Sequence, residues 1–182
     1  SITVESPSTF TTGLVTINYT ASAPEGLSGY TENATGLSSG FIIGDNLINT
    51  TDAPLTVTYR LVPVSGVVCN NGPAIEVKVT VNPTPRAVPV NVSPAICYGD
   101  LTAIRLESPT IMTSGEIRFD YDIAIPSGVA GNPDSGIDMR PGDVLSFRYS
   151  NTNDTVQSVF FSITPKVEGL NCPAGNASVQ EV

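Results

Sequence analysis

The side chains in this sequence that could do chemistry are carboxylates, hydroxyls, amides and three cysteines, and the 182 residues contain no His and no Trp. Without imidazole there is no Ser-His-Asp or Cys-His pair, no HExxH zinc site and no ordinary neutral-pH proton shuttle. The carboxylates are the first place to look, because 17 Asp and Glu against 8 Lys and Arg leave a formal charge of −9. Asp134, Asp138 and Asp143 fall in one stretch, 132–143. That stretch is long enough to fold around calcium, which takes roughly six to eight oxygens. The spacing departs from the EF-hand template and Pro133-Asp134-Ser135-Gly136 is an ordinary turn signal, so calcium loop and solvated turn both stand. Glu5 and Glu107 sit in matching Glu-Ser-Pro segments. Acting together on one glycosidic bond, they would have to lie within about 5 to 9.5 Å.

The elements that must position these groups are strands. Leu14 to Tyr19, Leu55 to Leu61, Ile75 to Val81 and Glu116 to Tyr121 alternate apolar and polar residues, are rich in β-branched and aromatic types, and end at Gly, Pro, Asn or Ser. No window carries a capped 3.6-residue period. Laid on itself at an offset of 102 residues, the chain superposes Glu5-Ser6-Pro7 on Glu107-Ser108-Pro109, Tyr19 on Tyr121, Gly26 on Gly128, Asn49-Thr50 on Asn151-Thr152 and Pro63 on Pro165. Shared Gly and Pro punctuation marks shared turns. The expected architecture is all-β: two tandem immunoglobulin-like sandwiches, residues 1–84 and 85–182. Glu5 and Glu107 then belong to different domains, and Tyr19 and Tyr121 read as core or tyrosine-corner residues rather than ligand-stacking rings. The prolines of 81–89 predict a stiff connection.

Cys69 and Cys172 occupy near-equivalent places, and Cys97 opens the second repeat. The simplest account is one disulfide per repeat: Cys97 with Cys172, and Cys69 unpaired here because its partner lies upstream. On that account the first strand of repeat one precedes Ser1. Such a bridge would stabilise by about 4 kcal/mol in the chain-entropy model and implies an oxidising, extracellular compartment. Three buried free thiols are the alternative.

The string Asn49-Thr50-Thr51-Asp52-Ala53-Pro54-Leu55-Thr56-Val57-Thr58-Tyr59-Arg60-Leu61-Val62-Pro63, with Cys69-Asn70-Asn71-Gly72 and Val77-Lys78-Val79-Thr80-Val81-Asn82-Pro83-Thr84-Pro85, resembles the PKD-like repeats of Bacteroidota cell-surface proteins. Repeat two resembles them through Ile96-Cys97-Tyr98-Gly99-Asp100 and Asn151-Thr152-Asn153-Asp154, and departs from them in the aromatic strand Val156 to Ile163. The resemblance implies a very long adhesin or filament exported by the type IX secretion system.

Asp154-Thr155-Val156 is similar to the O-glycosylation acceptor motif of these bacteria, which makes Thr155 a candidate; six Asn-x-Ser/Thr triplets, the first at Asn18, matter only where the host glycosylates them. Lys78 and Lys166, the only lysines, are candidates for an isopeptide crosslink with no marked partner. The expected function is a non-enzymatic, load-bearing spacer at the cell surface. The alternative is a module binding glycan or protein through sandwich-end loops. The partners expected are neighbouring repeats, or further copies joined into an oligomer or filament by strand donation. No cofactor is expected beyond the calcium weighed above. Nucleic acid is disfavoured by the acidic balance, and membrane insertion by the lack of any apolar run of about 18 residues.

Overall fold

The computed structural model describes residues 1–8, 13–66, 71–131 and 134–182, and they are all-β, without helix. They divide into two compact units, Ser1–Pro83 and Thr84–Val182. Unit 1 contains β1 (Ile2–Val4), β2 (Val15–Ser22), β3 (Leu27–Ser28), β4 (Asn33–Leu37), β5 (Phe41–Ile43), β6 (Ile48–Asn49), β7 (Leu55–Ser65) and β8 (Ile75–Val81). A four-stranded antiparallel sheet in the order β4-β2-β7-β8 is accompanied by the pairs β1-β5 and β3-β6. Unit 2 contains β9 (Val90–Asn91), β10 (Ile104–Arg105), β11 (Glu116–Ala124), β12 (Val129–Ala130), β13 (Gly136–Met139), β14 (Val144–Leu145), β15 (Ser150–Asn151), β16 (Phe160–Glu168) and β17 (Ser178–Glu181). Its four-stranded sheet runs β13-β11-β16-β17, beside β14-β10-β9 and β12-β15. The arrangement is that of a β-sandwich.

Period-two burial produces these sheets. In β7, Val57, Tyr59 and Leu61 point inward; in β16, Phe161, Ile163, Pro165 and Val167 do. They meet Ile17, Tyr19, Val4 and Ile43 in unit 1, and Phe119, Tyr121, Ile104, Leu106 and Leu145 in unit 2. Each fully buried large apolar side chain contributes about 1.5 to 3 kcal/mol.

The same backbone devices recur in both units. The register shifts between Ile17 and Tyr19 opposite β4, and between Phe119 and Tyr121 opposite β13. At the first bulge Asn18 Oδ1 accepts from the Gly36 N–H at 2.8 Å; at the second Asp120 Oδ1 accepts from the Asp138 N–H at 3.0 Å. Gly36 has φ 69° and Asp138 φ 60°. Asp tolerates that left-handed region better than most side chains.

Proline inside a central strand is usually excluded because it lacks a ladder donor. Pro63 and Pro165 nevertheless pair with Ile17 and Phe119. β8 pairs only as far as Leu61 and β17 only as far as Ile163. Each proline therefore turns its missing donor to the side where the outer strand has ended, and its carbonyl accepts from Gly72 or Gly175 at 2.9 Å.

The stretch expected as a stiff connection is largely built into the units. Val81 ends β8, Pro83 is buried, and from Pro85 the chain is a strand-like part of unit 2, with Pro85 and Ala87 buried and Arg86 and Val88 exposed. Ser108 Oγ donates to the Arg86 carbonyl at 2.6 Å, and the Arg86 N–H donates to Thr110 Oγ1 at 2.9 Å.

Asn49 is buried and braces unit 1: Nδ2 donates to the carbonyls of Ala53 and Val81, and Oδ1 accepts from the Thr51 N–H and hydroxyl. Asn151 makes the shorter brace, to the Thr155 carbonyl and the Asn153 N–H, and is exposed. Asn49→Ala should therefore cost unit 1 about 1 to 3 kcal/mol, and Asn151→Ala less than 1 kcal/mol in unit 2 by about the same rule. Urea melts of the two variants check the inequality.

Candidate functional site

A concavity lies in unit 2, at the sandwich end where Ala124, Phe160 and Glu181 meet in the sheet register. It has a volume of about 620 Å³, within the range of small-ligand clefts. One wall is the segment carrying Ile96, Cys97 and Tyr98, a second carries Val156 and Gln157, and Tyr149 also lines the cleft. An isolated antiparallel bridge positions the first wall: Leu101 pairs with Arg148, and the Arg148 guanidinium donates to the Gly99 carbonyl. The second wall follows the Asn151 turn, whose amide holds the Thr155 carbonyl at 2.8 Å.

Tyr98 is 83% exposed and Val156 94%, so apolar surface lies at the rim as well as within. The Tyr149 ring stands edge-on to Phe161 at 6.4 Å. Its hydroxyl is buried and, among the described residues, is the one buried side-chain polar atom without a partner. Burial, with Tyr121 and Asp134 acting in the same direction, pushes it up to about 12, so it stays a phenol donor at neutral pH. An aromatic, weakly polar cleft of this kind can stack a sugar or an apolar side chain.

The residues singled out in the sequence do not gather here. Asp134, Asp138 and Asp143 are not brought together around a common point. Asp138 pairs with Lys166 at 2.6 Å, Asp143 Oδ2 accepts from the Arg140 N–H at 2.7 Å, and no group of three or more potential ligands could hold a metal among the described residues. The expected Cys97–Cys172 disulfide is not formed; both are free thiols. Cys97 lines the cleft at the Phe160 end of β16, whereas Cys172 follows the Glu168 end. Nine strand residues span about 26 Å, and a disulfide needs Cα atoms within about 7 Å. Cys69 lies outside the described residues. Thr155 is exposed in the loop beside the cleft, its Oγ1 accepting from Gln157 Nε2 at 3.0 Å. Glu107 pairs with Arg105 at 2.6 Å, and Glu5 is in the other unit.

Lys166 Nζ lies 2.8 Å from Asp120 and 2.6 Å from Asp138. An amide crosslink requires a neutral amine, but the hydrogen bonds that Lys166 donates to Asp120 and then Asp138 hold its pKa above the ordinary value. The trio is an ion-pair cluster at the bulge.

Tyr19 and Tyr121 are core residues. At the edge of the core, unit 1 also holds a polar hub, around the half-buried Asp45, that no sequence motif marks. The Tyr59 hydroxyl donates to Asp45 Oδ2 at 2.5 Å, Thr31 Oγ1 donates to Asp45 Oδ1 at 2.9 Å, and Tyr19 packs edge-on to Tyr59 at 5.8 Å. Unit 2 has Phe147 and Phe161 stacked at 6.2 Å, with Tyr121 tilted against Phe147. The readable signal was Asp45 falling opposite Phe147 at the 102-residue offset.

With this geometry in view, comparison with known protein families gives one result. Residues 6–85 match the PKD-like domain. The match supports a PKD-like, immunoglobulin-like module over that segment, which is less than half of the chain, and modules of this kind are common in extracellular proteins. No curated protein and no solved structure matches the chain. The polar hub lies inside the PKD-like segment; the cleft lies outside it.

Burial opposes ionisation of Asp45, but the hydrogen bonds from Tyr59 and Thr31 outweigh it and hold the carboxyl below the usual carboxylate range. A depressed native pKa stabilises the fold above the unfolded-state value, about 3.9, and that contribution is lost as pH falls through the native value. The stability gap between the parent and Asp45→Asn should be constant from pH 7 to about 5 and shrink below about 4. Thermal melts across that range measure it, and a gap independent of pH would remove the linkage.

Proposed function

We propose that the chain is two tandem copies of one PKD-like module, residues 1–84 and 85–182 on a 102-residue period, serving as a non-catalytic, load-bearing spacer in a long bacterial cell-surface adhesin or filament. The resemblance of its strings to Bacteroidota surface repeats makes type IX export the accompanying route. The observation that carries the reading is what the two units share. Both have a four-stranded sheet of one order, a bulge with an acceptor side chain at Asn18 or Asp120, a Thr50 or Thr152 brace on the Gly26 or Gly128 carbonyl, and a proline capped by Gly72 or Gly175. Every shared device shapes or stiffens backbone, while the side chains that could touch a ligand differ. In unit 2 the first and last strands are also tied, since Asn91 Nδ2 donates to the Glu181 carbonyl at 2.8 Å. Load entering at one terminus and leaving at the other would act on that link.

Single-molecule extension between the termini should give two discrete unfolding events, each releasing about 30 nm of chain at roughly 3.6 Å per residue. Asn91→Ala should lower the force of one event only. Gradual extension without discrete events would sink the spacer function.

A second reading, recognition of a glycan or protein, is favoured by one observation, the aromatic cleft of unit 2. If it operates, Tyr98→Ala should weaken ligand capture on a glycan and matrix-peptide array at least tenfold, as loss of an aromatic anchor does by about 2 kcal/mol. Capture unaffected by that change would remove the cleft from consideration.

A further inference from the structure

A second hollow in unit 2 adjoins the aromatic cleft and shares Tyr98 and Tyr149 with it. Its walls come from residues 98–99, 130–131 and 148–150, all interior to the unit, and its volume is about 410 Å³. The one charged side chain that lines it is Arg148. Backbone forms much of the rest. Gly99, at φ 83°, turns its carbonyl to the Arg148 guanidinium. A Cβ at Gly131 would stand 2.1 Å from Cδ1 of Tyr149, so the chain can lie against that ring only as glycine. With glycine at both 99 and 131, the hollow keeps room for a ring-sized group.

Arg148 is placed differently from other cations of unit 2. Arg105, Arg118 and Lys166 each meet a carboxylate at 2.6 to 2.8 Å. Arg148 meets none among the described residues, and the Gly99 carbonyl holds its guanidinium instead. The carboxylate closest to that wall in sequence, Asp100, accepts from the Cys97 N–H at 3.2 Å. A carbonyl leaves the Arg148 charge unneutralised but fixes the fork, so less side-chain freedom remains to be lost when an anion arrives. Of the guanidinium's N–H groups one is used, and a carboxylate takes two. Tyr98, largely exposed, lines the same hollow, and its flat face suits the C–H face of a pyranose. The formal charge of −9 opposes an acidic ligand at long range. At physiological ionic strength that field is screened beyond about 8 Å, so contact at Arg148 must supply any preference for an anion.

We infer that this hollow binds a sugar ring that carries a carboxylate, a uronate residue of an acidic polysaccharide. Tyr98 stacks on the ring, and the remaining N–H groups of Arg148 take the carboxylate. The inference rests on the second reading above and names its ligand class. A neutral sugar would use Tyr98 alone and leave the guanidinium unmatched. An acidic peptide would bring a carboxylate without a rigid ring at a fixed distance from it, and so would use Arg148 alone.

The probes are fluorescent oligosaccharides of galacturonate, glucuronate and mannuronate, each beside its carboxyl-reduced neutral counterpart, titrated into the intact chain by anisotropy. At least one acidic probe should bind saturably and about tenfold more tightly than its neutral counterpart, and added salt should shrink that advantage. Arg148→Gln should bring the acidic probe down to the level of the neutral one and leave the neutral one unchanged. Arg148→Lys should recover only part of the difference, because it keeps the charge and loses the fork. Tyr98→Ala should weaken both probes. A merely structural role for Arg148, holding Gly99 and through it Tyr98, would instead lower both probes together, and that result would overturn the inference. Melting curves check the fold of each variant. Should Arg148→Gln misfold, the acidic-to-neutral ratio of the unmodified chain and its salt dependence decide. Equal affinity for acidic and neutral probes, still weakened by Tyr98→Ala, would overturn the uronate preference and leave the second reading standing. Binding of none of the sugars at millimolar concentration would also overturn it; the second reading would then survive only through capture of a peptide on the array, and fall with it if no peptide were captured.

Discussion

Two antiparallel ladders, β2 with β7 and β11 with β16, carry the rest of this chain. Each holds one apolar face inward along eight or more residues, and a slip of one residue would send Tyr59 or Phe161 to solvent. The outer strands, the small second sheets and the loops take their places from that register. The bulges follow from it as well. They let β2 and β11 keep pairing with the central strand while β4 and β13 bend away, and Asn18 and Asp120 accept the N–H that the bend exposes.

One frame supports two different interiors. Unit 1 places Asp45 against Tyr59 and satisfies it with two hydroxyl donors; unit 2 fills the corresponding space with Phe147 and Phe161. The carboxylate solution depends on hydrogen bonds, since a half-buried charge that loses its donors is costlier than a missing aromatic contact. The aromatic solution needs only volume, and it leaves the Tyr149 hydroxyl unpartnered beside the cleft. Backbone devices common to both units set the frame, and the two interiors diverge within it.

Much of the fold was legible because strands write a period of two and turns demand Gly and Pro. The strands centred on Tyr19, Tyr59 and Tyr121 stand where alternation puts them, and the prolines at 63 and 165 mark where an outer strand stops. Site residues were less legible, because proximity in sequence says little about proximity across a sheet. Asp134, Asp138 and Asp143 lie within ten residues, yet a strand and a turn send Asp138 to Lys166 and Asp143 to the Arg140 N–H. Cys97 and Cys172 looked like a pair from their spacing within one repeat, but β16 lies along the gap between them. In the sequence, Tyr98 is marked only by its place in the string around Cys97. The residues that line the cleft with it, Tyr149 and Val156 among them, come from segments more than fifty residues away in the chain.

By itself the sequence determined the all-β class, the in-and-out pattern of each long strand, and the turn positions, because these depend on contacts between near neighbours and on the backbone demands of single residues. The tertiary structure decided which charges meet, which thiols stay apart and where a cleft opens. Those outcomes depend on register and on the order of strands in a sheet, and such long-range pairings have no signature in any one stretch of chain.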